Sequence, residues 1–297
     1  MGEFRRIFLK WERYTLLLFF GFATTFAGVP IELDYSGKDF SRLQARISEI
    51  ADRFQTRVGI EWPGEDSVLV RAVFSRAEFD ETTGGAVPDW GIGAALPEAG
   101  EIVLLLDEGA LSAKATELIA HELAHILLHR ATDGARIPRW FDEGFAQWAS
   151  GPIRLDQSTR LARAFAFGRT IPLHSLGEVN SWDQDRAELA YAQSRAAFDY
   201  LLTLTPEGRP SVFFEAIRTE GDFEAGFLRA TGITLYEFYR LWAYEGARKF
   251  NYFLLLADWR LTFLALTIFF LIFGTIKLIR IKIAKQRLED EETQARL

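Results

Sequence analysis

The chain reads as an α+β domain joined to a membrane helix, and three observations carry that reading. Short runs rich in β-branched residues all lie before Gly109. After Gly109, apolar residues recur at helical spacing almost without a break. Near the C-terminus, Leu261 to Ile276 is an uncharged apolar stretch. Strands first and helices later is the α+β pattern. With 297 residues, 49% of them hydrophobic, the chain can bury one sizeable core or two. There is no cysteine, so any metal must be held by His, Asp or Glu.

Taken in order, residues 1–29 form a signal peptide or an N-terminal anchor. The opening carries Arg5, Arg6, Lys10 and Arg13, followed by an apolar run from Thr15 to Val29. That run is short of the roughly 20 residues a spanning helix needs. Thr25 and Ala27 precede a possible cut after Ala27. "RRIFLK" resembles the twin-arginine export motif, with Phe4 where Ser or Thr usually precedes the pair. Paired arginines are also the ordinary basic flank of a signal.

Residues 30–250 form the folded domain. "SGKDFSRLQARISEIADRFQTR" repeats Phe40, Leu43, Ile47, Ile50 and Phe54 at three- and four-residue spacing, which predicts an amphipathic helix entered at Ser36 and Gly37. "VGIEW" and "SVLVRAVFS", separated by Pro63-Gly64, predict strands. "DWGIGAALPEAGEIVLLLD" predicts a hairpin turning at Pro97 to Gly100. Ser112 is placed to cap a helix running to about Arg130, and Pro138 to open the next. Five further helices follow, in "STRLARAFAFG", "DRAELAYAQSRAAFDYLLTL", "PSVFFEAIRTE", "DFEAGFLRATG" and "TLYEFYRLWAYEGARKF".

Residues 255–279 make one transmembrane helix and 280–297 a tail. Trp259 suits an interface, and Lys277, Arg280, Lys282, Lys285 and Arg287 follow the apolar run. Basic residues mark the cytoplasmic side, so the tail is cytoplasmic and the folded domain extracytoplasmic. Both termini are net basic, so the body between them is more acidic than the chain's net charge of −7. An acidic body argues against nucleic-acid binding.

The chemistry is concentrated in "ATELIAHELAHILLHR", which holds three of the four histidines. In "HELAH", His121 and His125 stand four apart, about 40° around a helix and one turn along it, and can bind one ion. Glu122 can reach a water on that ion and take its proton. Leu118, Ile119, Leu123, Ile126 and Leu127 surround these polar groups with apolar ones, a costly burial unless it serves a purpose. A catalytic zinc usually has three protein ligands. Eighteen residues after His125 comes Glu143, inside "PRWFDEGFA", a carboxylate to which the family resemblance described next gives the third place. Asp142 and His129 are its rivals. A neighbour on a helix points about 100° away, and His129 lies roughly 6 Å further along the helix.

"HELAH" followed by "PRWFDEGFA" resembles the gluzincin metallopeptidases, the peptidase-MA-like and aminopeptidase-N-like groups above all. The resemblance spans roughly Gly91 to Tyr244 and implies a zincin-like domain: an N-terminal mixed sheet, a helical C-terminal half, and zinc held by His121, His125 and Glu143. It also implies an oxyanion donor from "AYAQSRAAFDYL", with Tyr191 the candidate, His174 a weaker one, and a core tyrosine the ordinary alternative. One departure concerns the substrate amine. Aminopeptidases hold it with a Gly-x-Met-Glu-Asn motif, and "GIGAALPEAG" has no Met or Asn and only Glu98. The expected activity is therefore endopeptidase cleavage of a peptide or protein substrate. The edge from Trp90 to Ala95 can pair with an extended peptide. A catalytically silent peptidase-like scaffold that binds a protein partner is the alternative. An intramembrane protease is excluded, because Lys114, Glu117 and Arg130 flank the motif.

Overall fold

The structure, a computed structural model, describes residues 28–35, 40–85, 87–106, 113–205, 208–250 and 259–294. The predicted signal or anchor, with its cut after Ala27, lies outside the described residues apart from Gly28 and Val29. So do Ser36, Gly37, the Ser112 cap and the start of the predicted membrane segment at 255–258.

Four strands build a mixed sheet: β1 (Ile31–Asp34), β2 (Val68–Val73), β3 (Gly93–Leu96) and β4 (Glu101–Leu105). Their order is β1-β2-β4-β3, with β1, β2 and β4 parallel and β3 antiparallel to β4. Parallel neighbours need long crossovers. The helix α1 (Phe40–Val58) supplies the first, and α2 (Arg76–Thr82) with β3 the second. The predicted hairpin is present, with Gly93 opposite Leu104 and Leu96 opposite Glu101. It leaves β3 as an edge strand. Ile102 and Leu104 face the main core, while Val103 joins Val73 and Phe79 in a small cluster on the other face.

"VGIEW" is not a strand. α1 runs on through Val58 and stops where Gly59 adopts a φ of 66° and donates to the Gln55 carbonyl. Apolar residues there plug the core instead: Val58 and Trp62 are buried, and Arg130 lies 5.4 Å above the Trp62 ring. The place beside β2 is taken by the four residues of β1.

The remaining helices are α3 (Ala113–Ala131), α4 (Arg139–Ser150), α5 (Leu155–Ala166), α6 (Gln184–Leu202), α7 (Ser211–Glu220), α8 (Phe223–Thr231), α9 (Leu235–Lys249) and α10 (Trp259–Gln294), with a 3-10 helix at Leu173–Ser181. α3 carries Ile119, Leu123, Ile126 and Leu127 into the core. α4 is packed between α3 and α6. At Gly144 an added Cβ would fall 2.6 Å from the Ser194 carbonyl oxygen and 2.8 Å from Phe198 Cβ, so α4 and α6 touch backbone to side chain only because that residue is glycine. The far end of α4 is tied by two arginines. Buried Arg195 donates to the Gln147 and Gly151 carbonyls at 2.6 Å each, and Arg57 to those of Trp148 and Gly151 at 2.9 Å each. Carbonyls at a helix C-terminus lack the usual backbone partners and attract cations; Gln147 here also accepts from Ser150 Oγ at 3.1 Å. Within α10, Thr262–Gln286 is long and apolar enough to cross a membrane.

Candidate metal centre

The histidines of α3 and the carboxylates of α4 meet where the two helices pack. The His121 and His125 rings lie 4.8 Å apart at 85°. His125 Nε2 stands 3.2 Å from His121 Nε2, which stands 3.3 Å from Glu143 Oε2. Ligands about 2.0–2.1 Å from a tetrahedral ion are about 3.3–3.4 Å from one another. Both distances from His121 match that spacing, and all three ligand atoms lie within 4.8 Å of one another, close enough to converge on one ion. Among the described residues Glu143 Oε2 is buried with no well-directed hydrogen bond, only the 3.3 Å approach of His121 Nε2, an arrangement that a cation would answer. Among the described residues, these three form the one group able to hold a metal. The donors fit a divalent ion.

Each donor is held from behind. His125 Nδ1 is 2.5 Å from Asp142 Oδ1, so it donates to the carboxylate and its Nε2 is aimed at the shared point. Burial pulls His125 toward the neutral form. The charge and hydrogen bond of Asp142, with Glu143 and Glu122, outweigh burial and push its pKa up to about 9. Asp142 is thus the orienting partner of His125 and not a member of the donor group. Burial by itself raises the pKa of Glu143. The Arg139 guanidinium, 2.6 Å from Glu143 Oε1, outweighs this with help from both histidines and holds the carboxylate ionised, well below its usual range.

Glu122 is buried, one position beyond His121 on α3. Tyr191 on α6 reaches the same place. Burial, and then the Glu143 charge, raise its pKa, while Arg139 opposes the rise by charge and by donating a hydrogen bond to the phenol oxygen. The phenol therefore keeps its proton. Its ring meets Trp90 edge to face at 6.4 Å. Arg76 fixes the loop that carries Trp90, donating to the carbonyls of Val87, Pro88, Asp89 and Gly91. Beyond Trp90 an open depression runs to Trp182.

The other predicted residues stand apart. The His129 ring lies against the Gly134 turn, where an added Cβ would come within 3.2 Å. His174 is exposed on the 3-10 helix, 6.1 Å from the Tyr239 ring. Glu98 is exposed in the β3–β4 turn. Sequence reasoning missed Arg139 and Arg76. The four-residue spacing from Arg139 to Glu143 was the available signal for the first. For the second there was none, since its partners are backbone carbonyls.

Gly93 of the edge strand passes so close to α3 that an added Cβ would meet Leu118 Cδ2 at 2.6 Å. β3 therefore packs directly on α3, the helix that carries His121 and His125.

The profile of the family described as the peptidase MA superfamily matches residues 85–245, which include both β-strands of the hairpin and every residue of the centre. No curated protein matches the chain.

Proposed function

The chain belongs to the peptidase MA superfamily, and on that basis we propose that it is a membrane-anchored, extracytoplasmic zinc endopeptidase with a zincin-like domain. The observation that carries the proposal is the convergence of His121, His125 and Glu143, whose ligand atoms lie within 4.8 Å of one another, one of them the buried Oε2 of Glu143. Two imidazoles and one carboxylate are a usual donor set for catalytic zinc. When bound, such an ion lowers the pKa of water toward about 7 and polarises a carbonyl.

The chain's own residues divide the remaining work. Glu122 takes the proton of the attacking water and returns it to the leaving amine. Tyr191, protonated and backed by Arg139, donates to the oxygen on which negative charge develops. Asp142 and Arg139 keep His125 and Glu143 aimed. The edge strand β3 accepts an extended substrate by main-chain pairing. Endopeptidase activity is favoured over aminopeptidase activity because no glutamate stands on β3 to hold a substrate amine. The basic residues after the apolar span of α10 support a cytoplasmic tail and an extracytoplasmic catalytic domain. The scaffold alternative calls for a damaged centre, and His121, Glu122, His125 and Glu143 are all intact.

The test uses the full chain, purified in detergent, loaded with zinc and incubated with a mixed peptide library read by mass spectrometry. Internal cuts that vanish with Glu122→Gln are the expected result. Zinc bound in both proteins with no cuts in either would refute the endopeptidase reading and leave the scaffold.

A further inference from the structure

α9 is the last helix before the membrane segment, and its two sides differ. One side is core. Phe238 stacks on Trp140 at 5.1 Å, Trp242 packs edge to face on Phe165 at 5.8 Å, and Gly246 lies under the Phe165 ring. The other side carries large groups that the described residues leave exposed: Tyr236 is 70% exposed, Leu241 38% and Tyr244 66%. Positions 236, 240, 244 and 248 follow one another at four-residue spacing, so Tyr236, Arg240, Tyr244 and Arg248 form one stripe with Leu241 beside it. Of the acidic groups on this helix, Glu237 is occupied in the N-terminal cap with Thr234, and Glu245 sits 3.6 Å from Arg248.

Tyrosine alternating with arginine is the composition of a surface that sits among lipid headgroups. The phenol has an apolar body and a polar tip, and arginine lays its stem on apolar surface while its charge reaches the phosphates. Anionic lipids attract such cations. The chain itself supplies the second argument. Only nine residues separate Lys249 from Trp259, the start of α10. At about 3.3–3.6 Å per residue, the C-terminal end of α9 stays within roughly 35 Å of the start of α10.

We propose that the exposed face of α9 rests on the outer headgroup layer of the bilayer that α10 crosses, so that the domain lies against the membrane. This rests on the membrane-anchor reading above. The absence of cysteine in the chain makes the test direct. Single cysteines are placed at Arg240 and Tyr244 on α9, at Arg42 on the exposed side of α1, and at Phe270 in the apolar span. Each full-length variant carries a fluorophore in vesicles of phosphatidylcholine and phosphatidylserine. Quenching is measured with nitroxides on the headgroup or deep in the acyl chain. The expected result is loss of emission to the headgroup quencher at 240 and 244, none at 42, and loss to the deep quencher at 270. In the Tyr244→Cys background, Arg248→Glu should restore emission. No deep quenching at 270 would overturn the anchor and this inference with it. Quenching at 270 with positions 240, 244 and 42 alike would overturn the docked surface alone. Self-quenching between copies labelled at 244, in place of lipid quenching, would assign the face to a second copy and also overturn it.

Discussion

Replacing Gly144 with alanine tests how the two halves of the centre are joined. The donors ride on α3 and α4, whereas Tyr191 rides on α6. At Gly144 the new Cβ would stand 2.6 Å from the Ser194 carbonyl oxygen and 2.8 Å from Phe198 Cβ. Ordinary carbon contacts are about 3.5–4.0 Å, so α4 and α6 must part by about 1 Å. Overpacking of this kind costs about 1–3 kcal/mol. The obstacle is partly backbone of a buried helix, which puts the cost in the upper part of that range. Helix propensity returns up to about 1 kcal/mol, because alanine replaces glycine. The net loss of about 1–2 kcal/mol corresponds to a fall in Tm of about 2–8 °C for a domain of this size. Catalysis suffers more, since a displacement of about 1 Å in a catalytic group can cost about a hundredfold in rate. The assay is threefold: zinc stoichiometry, Tm and kcat on one preparation. Near-stoichiometric zinc with a lowered Tm and a strongly reduced kcat is expected. Unchanged Tm and kcat would refute the close-approach argument. Loss of zinc along with turnover would refute the division of the centre into a metal half and a Tyr191 half.

Other predictions concern single side chains. Glu143→Ala should lose metal as well as activity, and retained stoichiometric zinc would remove Glu143 from the donors. Asp142→Asn should weaken zinc binding by about 10–100-fold well above pH 9, where His125 is neutral with or without Asp142, which competition titration against a chelator would measure. His125, with its pKa raised to about 9, binds a proton in the metal-free protein at neutral pH. Zinc uptake at pH 7 should therefore release a proton, and calorimetry in buffers of different ionisation enthalpy would show it. The sign for stability follows from the same shift. The raised pKa stabilises the metal-free fold fully below about pH 6.5, and this contribution is lost as pH rises through about 9. A metal-free Tm that rises across that interval would contradict it. Tyr191→Phe should lower kcat and leave zinc content alone, and unchanged kcat would return Tyr191 to a packing role.

The helical half of the domain was legible because long amphipathic helices repeat their signal many times over. α1 and α3 to α9 all fall where apolar spacing put them. The sheet region was less so. β1 has four residues, too few to establish an alternation, and α2 has seven with Phe79 alone buried, so neither period accumulates. "VGIEW" misled because β-branched and aromatic residues are as useful for plugging a core beside a helix end as for pairing in a ladder. At the centre, His121 and His125 could be paired from spacing, since a helix fixes the relation of positions four apart, whereas Glu143 on the next helix was named through the family resemblance. The roles of Asp142 and Arg139 depend on how α4 lies against α3, which no spacing within either segment specifies. Tyr191 could be named only through the family resemblance, because its approach to Glu143 follows from the packing at Gly144.

The ties at the far end of α4 bear on any attempt to cut the protein down. All three donors and Glu122 fall within 121–143, short enough to invite a minimal metal-binding peptide or a graft onto another scaffold. Such a fragment would carry the donors without their frame. Arg57 reaches the α4 terminus from 91 and 94 residues upstream, and Arg195 from 48 and 44 residues downstream. Both would be left behind. A transplant that kept the angle of α4 would have to bring a cation to the Gln147, Trp148 and Gly151 carbonyls by some other route. The smallest portable unit of this centre is therefore set by two arginines that never touch it.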